Sequence, residues 1–258
     1  MLGNEQIYNS DYSALEKLYI LLFGVPIIGL RIRGRNVFSL IPRDRAYQRI
    51  LDAGCGLGVF SFELGRRFPR AEVLGVDLLD DLVQKCRQIA QRSRASNVSF
   101  RQGSIEGLAE ENAFDLTTCV DLLEHVEHDL SALRSLHRAT ARGGILVLHV
   151  PALYRRYPVW KKSLNFDVET HVRAGYELEG IRERIETAGY FIREIGYTYG
   201  FWETLANNLS YRITRARMQN KGLYAMAFPV LYLISLLGYR ARPKKLGAGV
   251  FAVAEKPA

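Results

Sequence analysis

The chain has 258 residues, 48% hydrophobic and 24% charged, with 22 Gly and 8 Pro. That composition excludes a disordered tail, a collagen-like repeat and a disulfide-stapled miniprotein, and the length can bury a sizeable core. The net charge of +8 is localised: residues 201–258 hold nine Lys/Arg against two Asp/Glu, whereas 48–150 hold 12 against 14.

Taken in chain order, the first unusual segment is Leu18–Leu30 (LYILLFGVPIIGL), an apolar run broken by Gly24 and Pro26 and followed by Arg31, Arg33 and Arg35. The stretches from 49 to 200 then alternate. Arg49–Ala53 reads as a strand running into glycines, 57–68 as a helix and Glu72–Asp77 as a strand. Residues 80–94 read as a helix with Asp80 and Asp81 in its favourable first turn. Val98–Gln102 and Phe114–Val120 read as strands, 122–140 as a helix stopped by Gly143-Gly144, and 145–150 as a strongly apolar strand. A helix over 175–188, a strand over 190–199 and a last strand over 249–254 complete the pattern. Strands separated by helices of this length predict a parallel sheet covered on both faces.

A second apolar run, Leu223–Gly238, is broken by Pro229 and followed by Arg240, Arg242, Lys244 and Lys245. At 13 and 16 residues, both runs are shorter than the ~20 that span a bilayer. They read either as a cap over the site or, with their basic flanks, as peripheral contacts with anionic lipid. The three cysteines, Cys55, Cys86 and Cys119, show neither zinc spacing nor a disulfide framework, and the N-terminus lacks the basic region of a signal peptide. The expected location is cytoplasmic, with peripheral contact on the inner face of the membrane.

The sharpest local signal is Leu51-Asp52-Ala53-Gly54-Cys55-Gly56-Leu57-Gly58 at a strand-to-helix junction, followed 23 residues after Gly54 by Asp77 at the end of the next strand. The glycines let the backbone approach a ligand closely, and an acid at that distance meets a ribose hydroxyl in nucleoside-binding folds. Val59 breaks the dinucleotide fingerprint and no Gly-Lys-[Ser/Thr] follows, so neither a dinucleotide nor a P-loop nucleotide is indicated.

This segment resembles motif I of the class I S-adenosylmethionine-dependent methyltransferases. The resemblance extends to Phe114-Asp115-Leu116, Asp121-Leu-Leu-Glu124-His125, Gly143-Gly144 and Pro151. It implies a Rossmann-like, doubly wound α/β fold with a seven-stranded mixed sheet whose final strand is reversed. S-adenosylmethionine (AdoMet) would lie across the carboxyl ends of the strands. Asp52, Gly54, Cys55, Gly56 and Gly58 would flank its methionine part, Asp77 would bind the ribose and Leu78 would pack on adenine. Many relatives carry Gly-Asp-Ala/Val after the third strand; here Gly103-Ser104-Ile105-Glu106 stands there, so Ser104 and Ile105, or Glu106, take the adenine side. Asp121 completes the cofactor set.

Methyl transfer from a sulfonium is chiefly a matter of positioning, with a base needed for a hydroxyl or carbon acid. By resemblance, His171, in a His-x-Arg-x-x-Tyr stretch, is the preferred base, with His125 and Tyr154 as further candidates. His149, in an apolar strand, reads as a core histidine. Asp121, Glu124, His125 and His171 also resemble a divalent-metal set of some relatives, but similar Glu-His pairs occur without metal, and none is expected here. An aromatic rim is expected from Tyr154, Tyr157, Trp160, Phe166, Phe201 and Trp202.

The chain divides into an N-terminal helical segment (1–45), the AdoMet-binding core (46–200), a helical apolar and basic insertion between the last two strands (201–247, including a basic helix over 211–221) and a final strand with tail (248–258). The expected acceptor is a small molecule, a lipid or a lipid-linked group, with a soluble metabolite as the alternative. Arg212, Arg215, Arg217 and Lys221 leave an RNA substrate as the last choice, and no nucleic-acid partner is expected.

Overall fold

The computed structural model describes residues 1–156, 161–165, 170–214, 220–239, 242–243 and 245–258. Seven strands form the central sheet: β1 (Arg49–Ala53), β2 (Glu72–Asp77), β3 (Val98–Gln102), β4 (Phe114–Val120), β5 (Thr140–Pro151), β8 (Phe191–Thr198) and β9 (Gly249–Glu255). β6 (Tyr154–Arg156) and β7 (Lys162–Leu164) pair as a separate hairpin. The sheet order is β3-β2-β1-β4-β5-β9-β8, with β9 antiparallel to both neighbours. The reversed final strand expected from the glycine-loop resemblance is present. The order turns back between β1 and β4, where a doubly wound sheet opens a crevice at its carboxyl edge.

Strand alternation builds two cores. Leu146, Leu148, Val150, Ala252 and Ala254 face α5 (Asp129–Ala139) and α6 (Leu178–Thr187). Ile145, Val147, Phe251 and Val253 face α3 (Val59–Arg67), α4 (Asp80–Ser93) and the end of α2 (Ile28–Leu40). A period of two in burial is what sends neighbouring side chains to opposite faces.

A third core lies outside the sheet. Ile28 and Ile32 of α2 pack with Ala206 of α7 (Phe201–Thr214) and with Tyr224, Phe228 and Leu231 of α8 (Lys221–Leu236). Tyr19 of α1 (Ala14–Phe23) donates its hydroxyl to the Ala225 carbonyl at 2.6 Å, and its ring lies 6.3 Å from Phe228. The two apolar runs therefore meet: their inner faces make one helical cap. Gly24, at φ 68°, breaks the first run between α1 and α2, while Pro229 lies within α8. Residues 215–219 of the expected basic helix lie outside the described residues, and Lys221 already begins α8.

The outer faces of the same helices are apolar too. Leu15, Leu18, Leu21 and Leu22 on α1, and Leu223, Met226, Val230 and Leu233 on α8, are all exposed. Their spacing of three and four residues makes one stripe per helix. Among the described residues, no helix is long and apolar enough to cross a membrane.

One expected helix is absent over its first half. Residues 122–128 form a short 3-10 turn (Leu123–His125) and a loop before α5. Arg173 Nη1 donates to the Leu123 and Val126 carbonyls, both at 2.6 Å, and Val172 N donates to the Glu124 carbonyl at 2.9 Å. Those carbonyls would otherwise accept within a helix, so the 170–173 segment holds the turn open.

Candidate active site

The glycine loop follows β1 at the switch point. Gly54 N and Cys55 N donate to the Val76 carbonyl at 2.8 and 3.0 Å, tying the loop to β2. Gly54 and Gly56 stand at φ 75° and 53°, a region that side chains strain to enter. A Cβ at Gly54 would come 2.7 Å from Leu122, whereas at Gly56 it would meet nothing within 4 Å, so the loop turns an open edge to the crevice. Asp77 Oδ2 accepts from Gly56 N at 2.8 Å and Oδ1 from Leu79 N at 3.0 Å. A carboxylate has about four acceptor positions, so Asp77 keeps capacity for two ribose hydroxyls. Leu78, at the same edge, is exposed. A crevice with bare backbone, a partly used acid and an exposed leucine fits AdoMet.

Three expected cofactor residues act from beneath the site through their side chains. Asp52 is buried, with Oδ2 accepting from Ser61 at 2.6 Å and Oδ1 from Thr118 at 2.9 Å. Burial raises its carboxyl above the ordinary range against those bonds, and both oxygens are committed to bracing β1 against α3 and β4. The buried Cys55 thiol lies against the Cys86 thiol, leaving its backbone for the loop. Ile105 packs in the core with Leu51 and Leu108, while Ser104 is exposed and caps the following turn by accepting from Glu106 N.

The crevice continues into a cavity of about 250 Å³ between the loop and the N-terminal segment, lined by Gln6, Tyr12, Ile27 and Arg33 opposite Gly54–Leu57. Gln6 Nε2 donates to the Leu57 carbonyl at 2.8 Å, strapping that segment to the loop. Arg33 and Asp121 also line a second cavity of about 370 Å³, so they form the shared wall. Arg33 Nη1 lies 2.7 Å from Asp121 Oδ2, and Asp121 Oδ1 pairs with His149 Nδ1 at 2.6 Å. His149 is 1% exposed and reaches Thr198 Oγ1 with Nε2 at 2.9 Å. Burial works to raise the Asp121 carboxyl, yet Arg33, then His149 and His171, hold it below the ordinary carboxylate range. Asp121 stands at φ 49°, turned off the end of β4 into this wall. His149 is the core histidine expected, with the added task of orienting Asp121.

The second cavity holds the candidate chemistry. Glu124, His125 and His171 bring one ligand atom each within 4.8 Å of one another, and the two imidazoles meet edge to face at 4.5 Å between ring centres. His125 Nδ1 lies 2.9 Å from the Thr170 carbonyl. A carbonyl only accepts, so Nδ1 carries the proton and Nε2 presents a lone pair. Burial, then the charge of Asp121, push the Glu124 carboxyl up to about 9, and its Oε2 is buried without a hydrogen-bond partner among the described residues. Glu124, His125 and His171 could hold a cation; Asp121, committed to Arg33 and His149, does not join them.

Tyr154 stands elsewhere. It lines a separate cavity with Lys162, Leu178 and Tyr197, and Lys162 Nζ lies 4.2 Å from its ring centre. The pleat of β6 sends Arg155 to the catalytic side instead, where it donates to Asn165 and Asn208 and faces the Tyr211 ring. Arg155, Arg33, Asn207 and Gly29 line the cavity without having been singled out for it by the sequence. Phe201 and Trp202 pack on each other 5.2 Å apart, away from this cavity, and Tyr157, Trp160 and Phe166 lie outside the described residues.

Residues 45–180 match the family described as "Methyltransferase domain". The chain is 33% identical over 101 residues to a ubiquinone biosynthesis O-methyltransferase of Acinetobacter baylyi, which covers 38% of this chain and 42% of that protein. It is 34% identical over 118 residues to a trans-aconitate 2-methyltransferase of Deinococcus radiodurans, covering 46% of this chain and 43% of that protein. The matches thus span less than half the length of these relatives. Among solved structures, phosphoethanolamine N-methyltransferase 2 of Haemonchus contortus with AdoMet aligns over 100% of this chain and 61% of its own, with a TM-score of 0.66 at 16% identity. The [4+2]-cyclase SpnF aligns over 87% of this chain and 80% of its own, with a TM-score of 0.60 at 17% identity. The family match covers more than half of the chain, and the sheet carries the order and reversed strand described above: the chain belongs to the methyltransferase-domain family, the class I AdoMet-dependent methyltransferases.

Proposed function

We propose that this chain transfers a methyl group from AdoMet to the polar head of an amphipathic small molecule at an anionic membrane surface. The observation that carries this reading is a polar cavity next to the glycine loop, walled by α2 and α7, whose partner helices α1 and α8 turn an apolar stripe outward. Contiguous exposed apolar surface rimmed by cations marks a contact with lipid or protein. The cap bears Lys17, Arg212, Lys221 and Lys245 in the described residues, and Arg215, Arg217, Arg240 and Lys244 lie outside them. The named relatives methylate small molecules, which supports an acceptor of that size.

AdoMet, when bound, supplies a methyl group on a cationic sulfonium. The loop and Asp77 bind and orient it, and Arg33 and Asp121, which line both cavities, flank the place where the acceptor atom meets the methyl group as the bond to sulfur breaks. His125 Nε2 accepts the proton of an acceptor hydroxyl, with His171 packed on its ring to fix the approach. A second reading rests on the Glu124 oxygen without a partner among the described residues: Glu124, His125 and His171 would hold a divalent cation, which would supply Lewis acidity toward the same hydroxyl. Elemental analysis of the purified protein decides between the two.

The test is twofold. Labelled methyl from AdoMet is expected in a membrane lipid extract, and the protein is expected to pellet with phosphatidylglycerol vesicles but not with phosphatidylcholine vesicles. The variant Met226→Glu with Leu233→Glu, both exposed on α8, keeps its Tm and stays in the supernatant. Deleting 201–247 is not a usable control, because α7 and α8 supply the third core. Label entering only a soluble metabolite pool, with no vesicle binding, overturns the membrane reading.

A further inference from the structure

Asn207 and Asn208 are neighbours on α7, both buried, and the fold uses them differently. Asn208 is committed to structure: its Oδ1 accepts from Arg155 and its Nδ2 donates to the Arg156 carbonyl at 2.8 Å. Asn207 is 7% exposed and lines the catalytic cavity, and its amide has no hydrogen-bond partner among the described residues. A primary amide offers two donors and an acceptor, and here that capacity is left open to the cavity. Buried polar groups are nearly always bonded, so an unbonded one facing a cavity points to a ligand that completes it.

The backbone opposite keeps that space open. A Cβ at Gly29, near the start of α2, would stand 3.3 Å from Asn207 Oδ1 and 3.8 Å from Tyr199 Oη. The Gly29 carbonyl is already taken by the Tyr199 hydroxyl at 3.1 Å, so the glycine contributes room, not a bond. Both Asn207 and Gly29 lie outside residues 45–180, on the cap side of the cavity, whereas Glu124 and His125 approach from the end of β4.

We infer that Asn207 is a specificity-determining residue: its amide hydrogen-bonds a second oxygen function of the acceptor, a hydroxyl or carbonyl distinct from the atom that His125 serves. The acceptor class is thereby narrowed to a head with at least two oxygen functions, one met from the sheet and one from the cap. This rests on the methyl-transfer reading of the cavity.

The experiment compares wild type with Asn207→Leu, close in volume and without polar atoms, by thermal melting, AdoMet calorimetry and labelled-methyl transfer into the lipid extract and the soluble pool. Asn207 bonds no described residue, so leucine at this position is expected to leave Tm unchanged or raise it. AdoMet affinity is expected to be unchanged, and kcat/KM to fall by roughly tenfold or more, since a site built to bond an oxygen discriminates strongly once the bond is lost. Gly29→Ala, which keeps the amide and narrows the space, is expected to lower kcat/KM without lowering Tm. A fall in the Tm of Asn207→Leu shows a structural asparagine and overturns the inference, as does full transfer by that variant. The melting result needs no acceptor. Failure of wild type to bind AdoMet would instead overturn the methyl-transfer reading itself.

Discussion

The two cavities share the Arg33–Asp121 wall, and the groups on its two sides are prepared in opposite ways. On the cofactor side the polar groups of the strand-loop-helix unit and its neighbour are bonded before any ligand arrives: Asp52 to Ser61 and Thr118, Asp77 to the Gly56 and Leu79 amides, the loop amides to Val76. On the acceptor side Glu124 Oε2 and the Asn207 amide have no partners among the described residues. The cofactor side comes from one strand-loop-helix unit and its neighbour, roofed by the N-terminal segment. The acceptor side is assembled from α2, the turn after β4, the 170–173 segment and α7. On the proposed reading, a preorganised donor site stands against a site finished by its ligand, so that one fold keeps its cofactor while the cap sets the acceptor.

Two substitutions press on the two sides. His125→Ala removes the lone pair held out by the Thr170 carbonyl, and kcat is expected to fall by about 10²–10⁴ with AdoMet affinity intact. On the base reading the wild-type rate survives chelation; on the cation reading chelation alone abolishes the rate. Asp77→Ala acts from the other side. It removes a carboxylate expected to accept two hydroxyl bonds, so AdoMet binding should weaken by about 100-fold in calorimetry, with kcat kept at saturating cofactor. A kcat loss in Asp77→Ala at saturation, or an affinity loss in His125→Ala, would erase the division between the sides.

The same division separates what the sequence makes legible from what it does not. The glycine loop, Asp77 and the strand boundaries are local: strand periodicity and the 54-to-77 spacing are written within one continuous stretch. The third core is not, because Ile28 and Ile32 meet Phe228 and Leu231 from the far end of the chain, and no local pattern reports that pairing. Tyr154 and Arg155 differ by one residue of pleat phase, and a short strand with no partner in the main sheet gives the sequence no way to set that phase. Asn207 looks in sequence like Asn208; only the fold separates a structural amide from one that faces the cavity. The turn at 122–128 fails as a helix for a reason equally remote, the hold of Arg173 on its carbonyls.

The smallest expected effect lies where the cap meets the cofactor side. Glu5 sits in the N-terminal 3-10 turn (Asn4–Tyr8) beside Gln6, which straps the loop through Leu57. Burial, with a further push from the charge of Glu63, drives the Glu5 carboxyl up to about 7, and its Oε1 is buried without a partner among the described residues. The folded state thus binds this proton more tightly than the unfolded chain, whose carboxyl titrates near 4.3. Below that value both states are protonated and stability is at its fullest. As pH rises toward 7 the unfolded chain ionises while the fold resists, so stability falls across that window and levels off above it. The loss across the whole window is at most on the order of 4 kcal/mol. Glu5→Gln keeps the size and removes the charge, so its Tm should match wild type at pH 4 and exceed it by several degrees at pH 8. AdoMet affinity should follow the same trend, because the turn that carries Glu5 also roofs the cofactor cavity. Equal pH profiles for the two proteins would mean that the strap does not respond to the ionisation of Glu5, and the cap would then meet the cofactor side through the Arg33–Asp121 wall without help from this turn.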